Sequence, residues 1–507
     1  MPEDTPFVTN SALQPGNVRE FLITTPNDSL DVTGALSQFS FYESVFSNTV
    51  TATAILVDTG FQGGDNGKGR RKSDGIRNYL SLVGGERVDF TVSDNNMVNT
   101  NKESTIKLTM YINRIRDLST NALKDVFAID LVSREFINNE KVRVTERYDG
   151  PISESALKIM KLLTKGSPTE ADLQGVETVD QLQITSEKFP EGRIPVPEIQ
   201  KTEGNYNFIG NSKKPLYVLS WLASKSVSQN KDDKTGFFFY QSRDRFHFVS
   251  IDSLVRGDRA LRTFKGSSSE TDLKLKQGRK VKSFVYNSTG RINEEKFDQN
   301  ILSYNVKKTV DAQKDLSLGS YGSRTLFFDF LSMNYRVDNF DIVEAYAGNN
   351  QSGIPISPQG RGVLRVPRKE IREGQSRLLN QVLDVGTLPS GVNTDSQLAE
   401  FKKNIEEEST AIPNIIAESI ARYNVLFSVE TNVIIPGDFD IIPGDIVNCT
   451  FRPLNPTGGE DKDLDISGEY MVANVCHRIS PTETLSSLDL VREYLNPRSV
   501  RTQESNQ

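Results

Sequence analysis

The sequence predicts a mainly β protein with some α-helix (α+β), made of two similar antiparallel β-barrel domains and a mixed middle region. Three observations lead to this fold class. A segment near the N-terminus alternates between apolar and polar side chains, further strand-like segments follow it, and a late stretch repeats their spacing. A period of two is typical of a strand with two different faces, and short strands separated by turns favour an antiparallel barrel or sandwich.

The alternating segment is SNTVTATAILVD, which begins at residue 47. Its side chains fall on an apolar face and a threonine-rich face: Val50, Ala52, Ala54 and Leu56 against Thr49, Thr51, Thr53 and Ile55. Further strands are predicted at 86–92, 105–115 and 125–137. The Gly-rich, basic segment 61–75 predicts a loop.

The middle of the chain predicts helices and a hairpin. Apolar residues recur at helical spacing over 153–163, where Ser153 is the expected N-cap. Pro215 predicts the first turn of a second helix, and residues 236–251 predict a β-hairpin. The segment 166–212, rich in Pro, Glu and Gly, predicts an extended connector.

These patterns divide the chain into five parts. They are a first barrel at 17–148, a middle α+β domain at 149–280 with the connector 166–212, a second barrel in two pieces at 281–345 and 410–495, an insert or linker with a helix at 346–409, and a flexible tail at 496–507.

The length and composition of the chain exclude several classes of protein. A chain of 507 residues is too long for one core, and its net charge of −7 gives no reason to expect a nucleic-acid binder. The two cysteines, Cys449 and Cys476, are expected to be free thiols of a reducing cytosol. The first residues lack a secretory signal and no stretch has 18 apolar residues, so we expect cytoplasmic synthesis without stable membrane insertion.

The late stretch predicts an internal repeat. Gly444 and Asp445 in IIPGDIVNC match Gly85 and Glu86 in LVGGERVDF, an offset of 359 residues. SLDLVREYL at 487–495 matches AIDLVSREFI at 128–137, so that the spacing from the turn acid to the strand aspartate is 44 in both copies. Tyr470 and Tyr111 share the same offset. Upstream the offset is about 375, which indicates some 16 extra residues in the first copy, supplied by the loop 61–75.

Catalytic, cofactor and metal sites are not predicted. The only histidines, His247 and His477, have no His or Cys partner at metal-ligand spacing. GGDNGKGRR lacks the Gly and Ser or Thr positions of a phosphate-binding loop, and no Gly-x-Ser-x-Gly motif is present.

Two other functions stay open at this point. A tail-associated peptidoglycan hydrolase could occupy the long middle region. Alternatively, Trp221 and the aromatic hairpin 237–248 could form a stacking platform of a carbohydrate-binding or receptor-binding protein, although such side chains more often belong to a core.

Three segments resemble the central baseplate hub protein of contractile-tailed (myovirus) bacteriophages, a family related to the hub portion of type VI secretion spike proteins. The segments are FYESVFSNTVTATAILVD, ARYNVLFSVETNVIIPGDFDIIPGDIVNC and SGEYMVANVCHRISPTETLSSLDLV. The resemblance implies two tube domains in one chain and a homotrimer in which six such domains surround a channel. Such a ring adapts a sixfold tail tube to a threefold cell-puncturing spike.

The resemblance implies a non-enzymatic structural protein without cofactors, which lets DNA through its channel. It would be located at the centre of the tail baseplate in the virion and assembled in the host cytoplasm. The implied partners are other copies of the chain, a trimeric spike protein, tail tube or tube-initiator proteins, the tape measure protein and, as a further candidate, the baseplate wedge. Sequence-specific nucleic-acid binding is not expected.

Candidate contact positions follow from the repeat and the resemblance. Gly85, Glu86, Gly444 and Asp445 are candidate ring or channel positions because they occupy equivalent turns, although a plain turn role is the stronger alternative. The face formed by Thr49, Thr51 and Thr53 suits a wet or inter-subunit surface. A neutral or acidic channel lining is expected, because it would not trap DNA.

Overall fold

The structure is a computed structural model of the 507-residue chain. It describes residues 16–60, 75–94, 105–120, 124–165, 197–230, 233, 236–243, 245–256, 281–286, 299–307, 312–329, 334–346, 363–364, 366, 369–382, 412–452, 463 and 466–495.

The strands in chain order are β1 (Asn17–Thr24), β2 (Ser29–Asp31), β3 (Leu36–Ser44), β4 (Thr51–Asp58), β5 (Arg87–Ser93), β6 (Thr105–Thr120), β7 (Asp125–Val132), β8 (Arg147–Tyr148), β9 (Glu198–Ile199), β10 (Phe208–Ile209), β11 (Phe237–Gln241), β12 (Phe246–Ser250), β13 (Lys282–Val285), β14 (Ser303–Lys307), β15 (Gly322–Asp329), β16 (Asn334–Asp341), β17 (Val363–Leu364), β18 (Arg377–Val382), β19 (Val429–Pro436), β20 (Ile446–Thr450), β21 (Gly468–Ile479), β22 (Thr484–Arg492) and β23 (Tyr494–Leu495).

The helices are α1 (Ile76–Leu80), α2 (Arg134–Lys141), α3 (Ile152–Leu163), α4 (Pro215–Ser224), α5 (Ile251–Arg256), α6 (Ala312–Leu318), α7 (Ile342–Tyr346), α8 (Lys369–Arg372) and α9 (Ile412–Leu426), with a 3₁₀ turn at Thr33–Ala35.

A single 13-stranded sheet carries most of the strands. Its order is β14-β19-β22-β21-β3-β4-β7-β6-β5-β1-β2, and β20 pairs with β21 and with β13. All its pairs are antiparallel except β13 with β20. The mainly β fold with some α-helix is therefore confirmed, whereas no strand pair among the described residues closes either half of the sheet into a barrel.

The alternation predicted for the first strand is confirmed in β4. Ala52, Ala54 and Leu56 are buried in one core with Phe21, Phe39, Phe41 and Phe90, while Thr51 and Thr53 are half-buried on the opposite face. A second core lies under the other end of the sheet, where Val433, Val447, Val472 and Leu488 pack together. The two ends of the sheet thus have separate cores, each on one face.

The hairpin predicted at 236–251 is formed by β11 and β12, and it lies between two further cores. Phe237 and Phe239 pack with α3 and α4, whereas Phe238 and Tyr240 pack against residues of β20, β21 and β22. Since both faces are covered, every residue of the two strands is buried. The hairpin therefore connects the middle region to the main sheet.

Two predictions about local structure are wrong. The strand predicted over 125–137 ends at Val132, and α2 follows it with Ser133 as N-cap, whose side chain accepts a hydrogen bond from the Phe136 amide at 3.4 Å. The N-cap of α3 is Pro151, not Ser153, whose amide donates instead to the Thr202 hydroxyl at 3.0 Å. Pro215 does begin α4, as predicted.

The two predicted linkers contain regular structure. The connector 166–212 includes β9 and β10, and the insert 346–409 includes β17, α8 and β18, which pairs in parallel with β15. The predicted loop at 61–74, the connector part at 166–196, the helix before residue 410 and the tail 496–507 lie outside the described residues. The domain boundaries themselves stay a prediction.

The cysteines are free in the structure. Cys449 is buried in the second core, and burial raises the pKa of its thiol to about 12. No helix in the described ranges is long and apolar enough to cross a membrane. The same ranges hold no group of three or more His, Cys, Asp or Glu side chains that could bind a metal ion.

Candidate functional site

The strand pairing shows two equivalent sets of five strands. We define repeat A as β3 to β7 and repeat B as β14 with β19 to β22. In the sheet, β3-β4-β7-β6-β5 of repeat A has the same order as β14-β19-β22-β21-β20 of repeat B. The internal repeat predicted from the sequence is therefore present in the topology.

The register of the two repeats agrees residue by residue around one aspartate. Asp130 of β7 lies between Thr53 of β4 and Arg114 of β6. Asp489 of β22 lies likewise between Asn432 of β19 and Asn474 of β21. A register shift follows at the same place in each, between Ile112 and Arg114 and between Val472 and Asn474. Since bulges are specific features of a fold, their coincidence supports equivalence of the repeats.

The predicted turn positions are also equivalent. The Gly85 amide donates to the Ile112 carbonyl at 2.6 Å, and the Gly444 amide donates to the Val472 carbonyl at 2.6 Å. Both glycines have a positive φ, 88° and 83°. The Glu86 carboxylate accepts the Val83 amide at 2.7 Å, and that of Asp445 accepts the Ile442 amide at 3.0 Å. The structure thus shows a turn role for the two acids, and their predicted ring or channel role is not tested.

The glycines give a direct test of this equivalence. Gly85→Ala and Gly444→Ala should each lower the free energy of unfolding by about 1–2 kcal/mol, because a Cβ disfavours a left-handed backbone. Gly34→Ala is the control, since a Cβ there would meet no atom within 4 Å and its φ is not positive. Urea unfolding measures the three changes, and clearly unequal costs at Gly85 and Gly444 would contradict equivalent turns.

Two details of the predicted repeat are wrong. Arg87 and Ile446 are equivalent residues, and they lie opposite Tyr111 and Met471 respectively. The offset on this strand is therefore 360, and the equivalent of Tyr111 is Met471 instead of Tyr470. Upstream, Thr53 corresponds to Asn432, an offset of 379. The first copy is thus longer by 20 residues instead of 16, and α1 lies within the same interval as the Gly-rich loop.

The repeats are joined head to tail by β3 and β21. Residues 39–44 of repeat A pair with residues 474–479 of repeat B, and the Ser44 hydroxyl donates to the Asn474 side chain at 2.5 Å. We call this pairing the junction. The equivalent edges are β14 of repeat B and residues 114–119 of β6 in repeat A. Among the described strands, β14 pairs only with β19, and β6 beyond Ile112 pairs only with β7.

A polar face extends over both repeats on the side opposite their cores. Asp130 accepts Thr53 at 3.1 Å and two bonds from Arg116 at 2.9 and 2.7 Å. Asp489 accepts the side-chain amides of Asn432 at 2.7 Å and Asn474 at 2.9 Å. Thr51 and Thr53 belong to this face, whereas Thr49 precedes β4 and is buried.

The turn of the β11–β12 hairpin is fastened to the junction by Arg243. Its amide donates to Glu43 of β3 at 2.6 Å, and its guanidinium pairs with the same carboxylate at 2.9 Å. The guanidinium also donates to the carbonyls of Phe439 at 2.6 Å and Ile441 at 2.5 Å. Arg243 therefore links the middle region to both repeats.

A hydroxyl, an imidazole and a carboxylate lie in sequence in the middle region. Ser242 Oγ is 2.8 Å from His247 Nε2, and His247 Nδ1 is 2.7 Å from Glu198 Oε2. This resembles the order of a hydrolase triad, which sequence analysis missed because β9 and β12 are distant in the chain. Ser242, His247 and Glu198 are at most 3% exposed, so a polymeric substrate does not reach the hydroxyl.

Trp221 is half-buried against its own chain. Lys225 Nζ lies 5.3 Å from the Trp221 ring and 5.3 Å from the Tyr206 ring, and Phe208 packs edge-on against Trp221. The rings of the 237–248 hairpin are buried in cores. Trp221 thus packs with Tyr206, Phe208 and Lys225, and the hairpin rings do not extend this group into a larger exposed platform.

No protein-family model and no curated protein matches the sequence. Among solved structures, a tail protein from Neisseria meningitidis superposes with a TM-score of 0.42 and 8% identity, covering 94% of this chain and 96% of its own. A 43 kDa tail protein of prophage MuSo2 from Shewanella oneidensis gives a TM-score of 0.42 and 8% identity, covering 94% and 98%. An E. coli component of the type VI secretion system gives 0.36 and 8%, covering 95% and 78%.

These three solved structures are thus two tail proteins and a component of the type VI secretion system, the class that the sequence resembles. All three TM-scores lie below 0.5.

Proposed function

We propose that the chain is a structural baseplate hub of a contractile phage tail, acting as a homotrimer. The observation that carries the proposal is the junction. It joins repeat A to repeat B by a heterologous contact, and among the described residues the equivalent edges of repeat B and repeat A have no strand partner of their own. A heterologous contact that is repeated generates a ring when its rotation closes.

The junction also specifies how one protomer would meet the next. Cys476 lies opposite Tyr42 in the junction. The equivalent of Cys476 in repeat A is Arg116, and the equivalent of Tyr42 in repeat B is Lys307. In the ring, Arg116 of one protomer therefore lies opposite Lys307 of its neighbour, and the two exposed strand edges are paired.

The polar face would line the channel. The opposite face of each repeat carries the core, which would lie on the outside of the ring, where more space is available. Its charged side chains are of both signs: Arg114, Arg116, Lys307 and Arg478 against Asp130, Glu430 and Asp489. Such a mixed lining offers no continuous basic track that would hold DNA during its passage. With four positive and three negative side chains in this set, the proposed lining is near neutral, which is one of the two expected cases.

Six similar repeats would give one face pseudo-sixfold symmetry, while the middle regions keep threefold symmetry. The pseudo-sixfold face suits the tail tube or its initiator and the tape measure protein. The opposite face, with threefold symmetry, suits a trimeric spike. The chain would be located at the centre of the virion baseplate and assembled in the host cytoplasm. Its role is that of a symmetry adaptor without catalysis.

Cysteine cross-linking tests the ring. In a Cys476→Ser background, the Arg116→Cys, Lys307→Cys double variant should form interchain disulfides on oxidation, because directly opposed antiparallel residues lie within disulfide reach. A non-reducing gel should show bands up to a trimer and none larger. Each single cysteine variant should stay uncross-linked.

Tyr42→Cys in the otherwise natural chain is the matched control. It places a cysteine opposite Cys476 in the junction, so it should form an intrachain disulfide under the same conditions. If this control oxidises while the double variant stays monomeric at high protein concentration, the proposed ring is wrong.

A further inference from the structure

Both histidines of the chain contact consecutive residues of one turn. His247 Nε2 lies 2.8 Å from Ser242 Oγ, and His477 Nε2 lies 3.0 Å from Arg243 Nη2. His477 belongs to β21 and pairs with Phe41 in the junction. The same turn therefore meets one imidazole within the middle region and the other at the seam between the repeats.

The contacts of His477 determine its protonation state. A guanidinium has donors only, so His477 Nε2 accepts the hydrogen bond from Arg243 in its unprotonated form, whereas the nearby Ile441 carbonyl favours a proton on the ring. Nδ1 then carries the proton, and it donates to Ser486 Oγ at 2.9 Å. His477 is thus neutral in this arrangement. Burial, followed by the nearby Arg243 charge, holds its pKa well below the usual range.

The carboxylates around His477 do not compensate the positive charge that a protonated His477 would add beside Arg243. Each carboxylate is bonded to another group: Glu43 to Arg243, Asp438 to Lys282 at 2.7 Å, Asp440 to Lys282 at 3.6 Å, and Asp94 to the Phe439 amide at 2.7 Å. Lys282 and Arg243 are the cations that face the site. A proton on Nε2 would therefore place two donors and two positive charges against each other.

His247 has the opposite surroundings. Its Nδ1 faces the Glu198 carboxylate and its Nε2 faces a hydroxyl that can accept as well as donate. Both ring nitrogens can carry protons there without losing a hydrogen bond. A proton would therefore break the contact of His477 with Arg243 but not the contact of His247 with Ser242.

We propose that His477 and Arg243 form an acid-sensitive latch between the middle region and the junction. With neutral His477, Arg243 is held across β3, the loop after β19 and β21, and the hairpin turn is fixed on the seam of the two repeats. When His477 takes up a proton, its hydrogen bond with Arg243 is lost and the second positive charge weakens the hold of the turn, which then depends on the contacts of Arg243 with Glu43 and the Phe439 and Ile441 carbonyls. The proposal does not depend on the trimer.

The sign of the pH dependence follows from linkage. In the released state the Arg243 charge is removed and water gains access to His477, so its pKa lies closer to the ordinary value of about 6.5 than in the latched state, and release takes up a proton. The latch is fully stable above about pH 6.5. Below that value its opening equilibrium should rise by up to about tenfold per pH unit between the pKa of the released state and that of the latched state.

Hydrogen exchange of the hairpin amides at 236–243 and 245–250, corrected for the intrinsic effect of pH, measures the opening. In the natural chain, protection of the turn should fall as the pH is lowered from 7 to 5. His477→Gln keeps an acceptor for Arg243 and does not titrate, so its protection should not change with pH. His247→Gln is the matched control and should keep the response of the natural chain. An acid response that persists in His477→Gln would overturn the proposal.

A second measurement does not need the His477 variant to fold. NMR of ring-labelled histidine in the natural chain gives two imidazole signals, which His247→Gln distinguishes. At pH 7 the His477 ring should be the neutral form with its proton on Nδ1. An imidazolium, or a proton on Nε2, would overturn the latch.

Discussion

Arg422→Met is expected to lower the free energy of unfolding by about 3–5 kcal/mol, because it removes the positive charge that pairs with two buried carboxylates. Arg422 of α9 is fully buried and donates to Asp252 of α5 at 2.5 Å and 3.1 Å, and to Glu493 at 2.5 Å. Methionine can fill the volume of the side chain, but it cannot neutralise Asp252 or Glu493. Chemical denaturation with a single-transition fit measures the loss.

Two further variants give the prediction its controls. Arg87→Met removes an exposed guanidinium that pairs with Asp89 at 2.9 Å, and it should cost about 1 kcal/mol or less. Replacing the buried triad together, as Arg422→Met, Asp252→Leu and Glu493→Met, should recover most of the lost stability, because no uncompensated charge remains. A single Arg422→Met variant as stable as the natural chain would show that the two acids are not charged partners of the arginine.

Phe90→Ala is expected to have a comparable effect, about 3–5 kcal/mol, because it empties the centre of the core of repeat A. The Phe90 ring lies 4.8 Å from Phe39, 6.2 Å from Phe21 and 6.4 Å from Phe41, measured between ring centroids. Three strands, β1, β3 and β5, contribute to this group, so neighbouring side chains cannot all move inward to fill the cavity. Urea unfolding measures the change.

Phe328→Ala is the matched control for Phe90. Phe328 lies in β15, where its side chain is 36% exposed on the outer face of the small β16-β15-β18 sheet. Its removal should cost about 1 kcal/mol or less, since surface substitutions usually have small effects. Equal losses for the two variants would contradict a core centred on Phe90.

The strands of repeat A could be predicted because one face is buried and the other is not. In β4 this contrast gives a strict alternation, and the pairing with β7 keeps it in register. α2 was missed because REFIN continues the apolar pattern of β7, and short apolar segments do not distinguish a strand from a helix. β18 was missed because Pro- and Gly-rich sequence surrounds it and its pairing partner β15 is distant in the chain.

The repeat itself was visible because paired strands conserve spacing even where the side chains differ. The same 44 residues separate the turn acid from the strand aspartate in both repeats, because the same three strands pair in the same way in each. The structure places Asp130 and Asp489 in the same register. The upstream offset was wrong because the length of an irregular connection has no periodic signal. The junction and the Arg243 contacts could not be predicted, since they join residues about 200 to 430 apart through tertiary packing alone.

The junction has a consequence for synthesis of the chain. Ser44 and its partner Asn474 are 430 residues apart. At about 5–20 residues per second, β3 leaves the ribosome roughly 20–90 s before β21 exists to cover its edge. During that time the nascent chain presents an open strand edge that another nascent chain can occupy. Neighbouring ribosomes on one message therefore bring the same edge into proximity, and early pairing between two such edges would compete with correct folding of each chain.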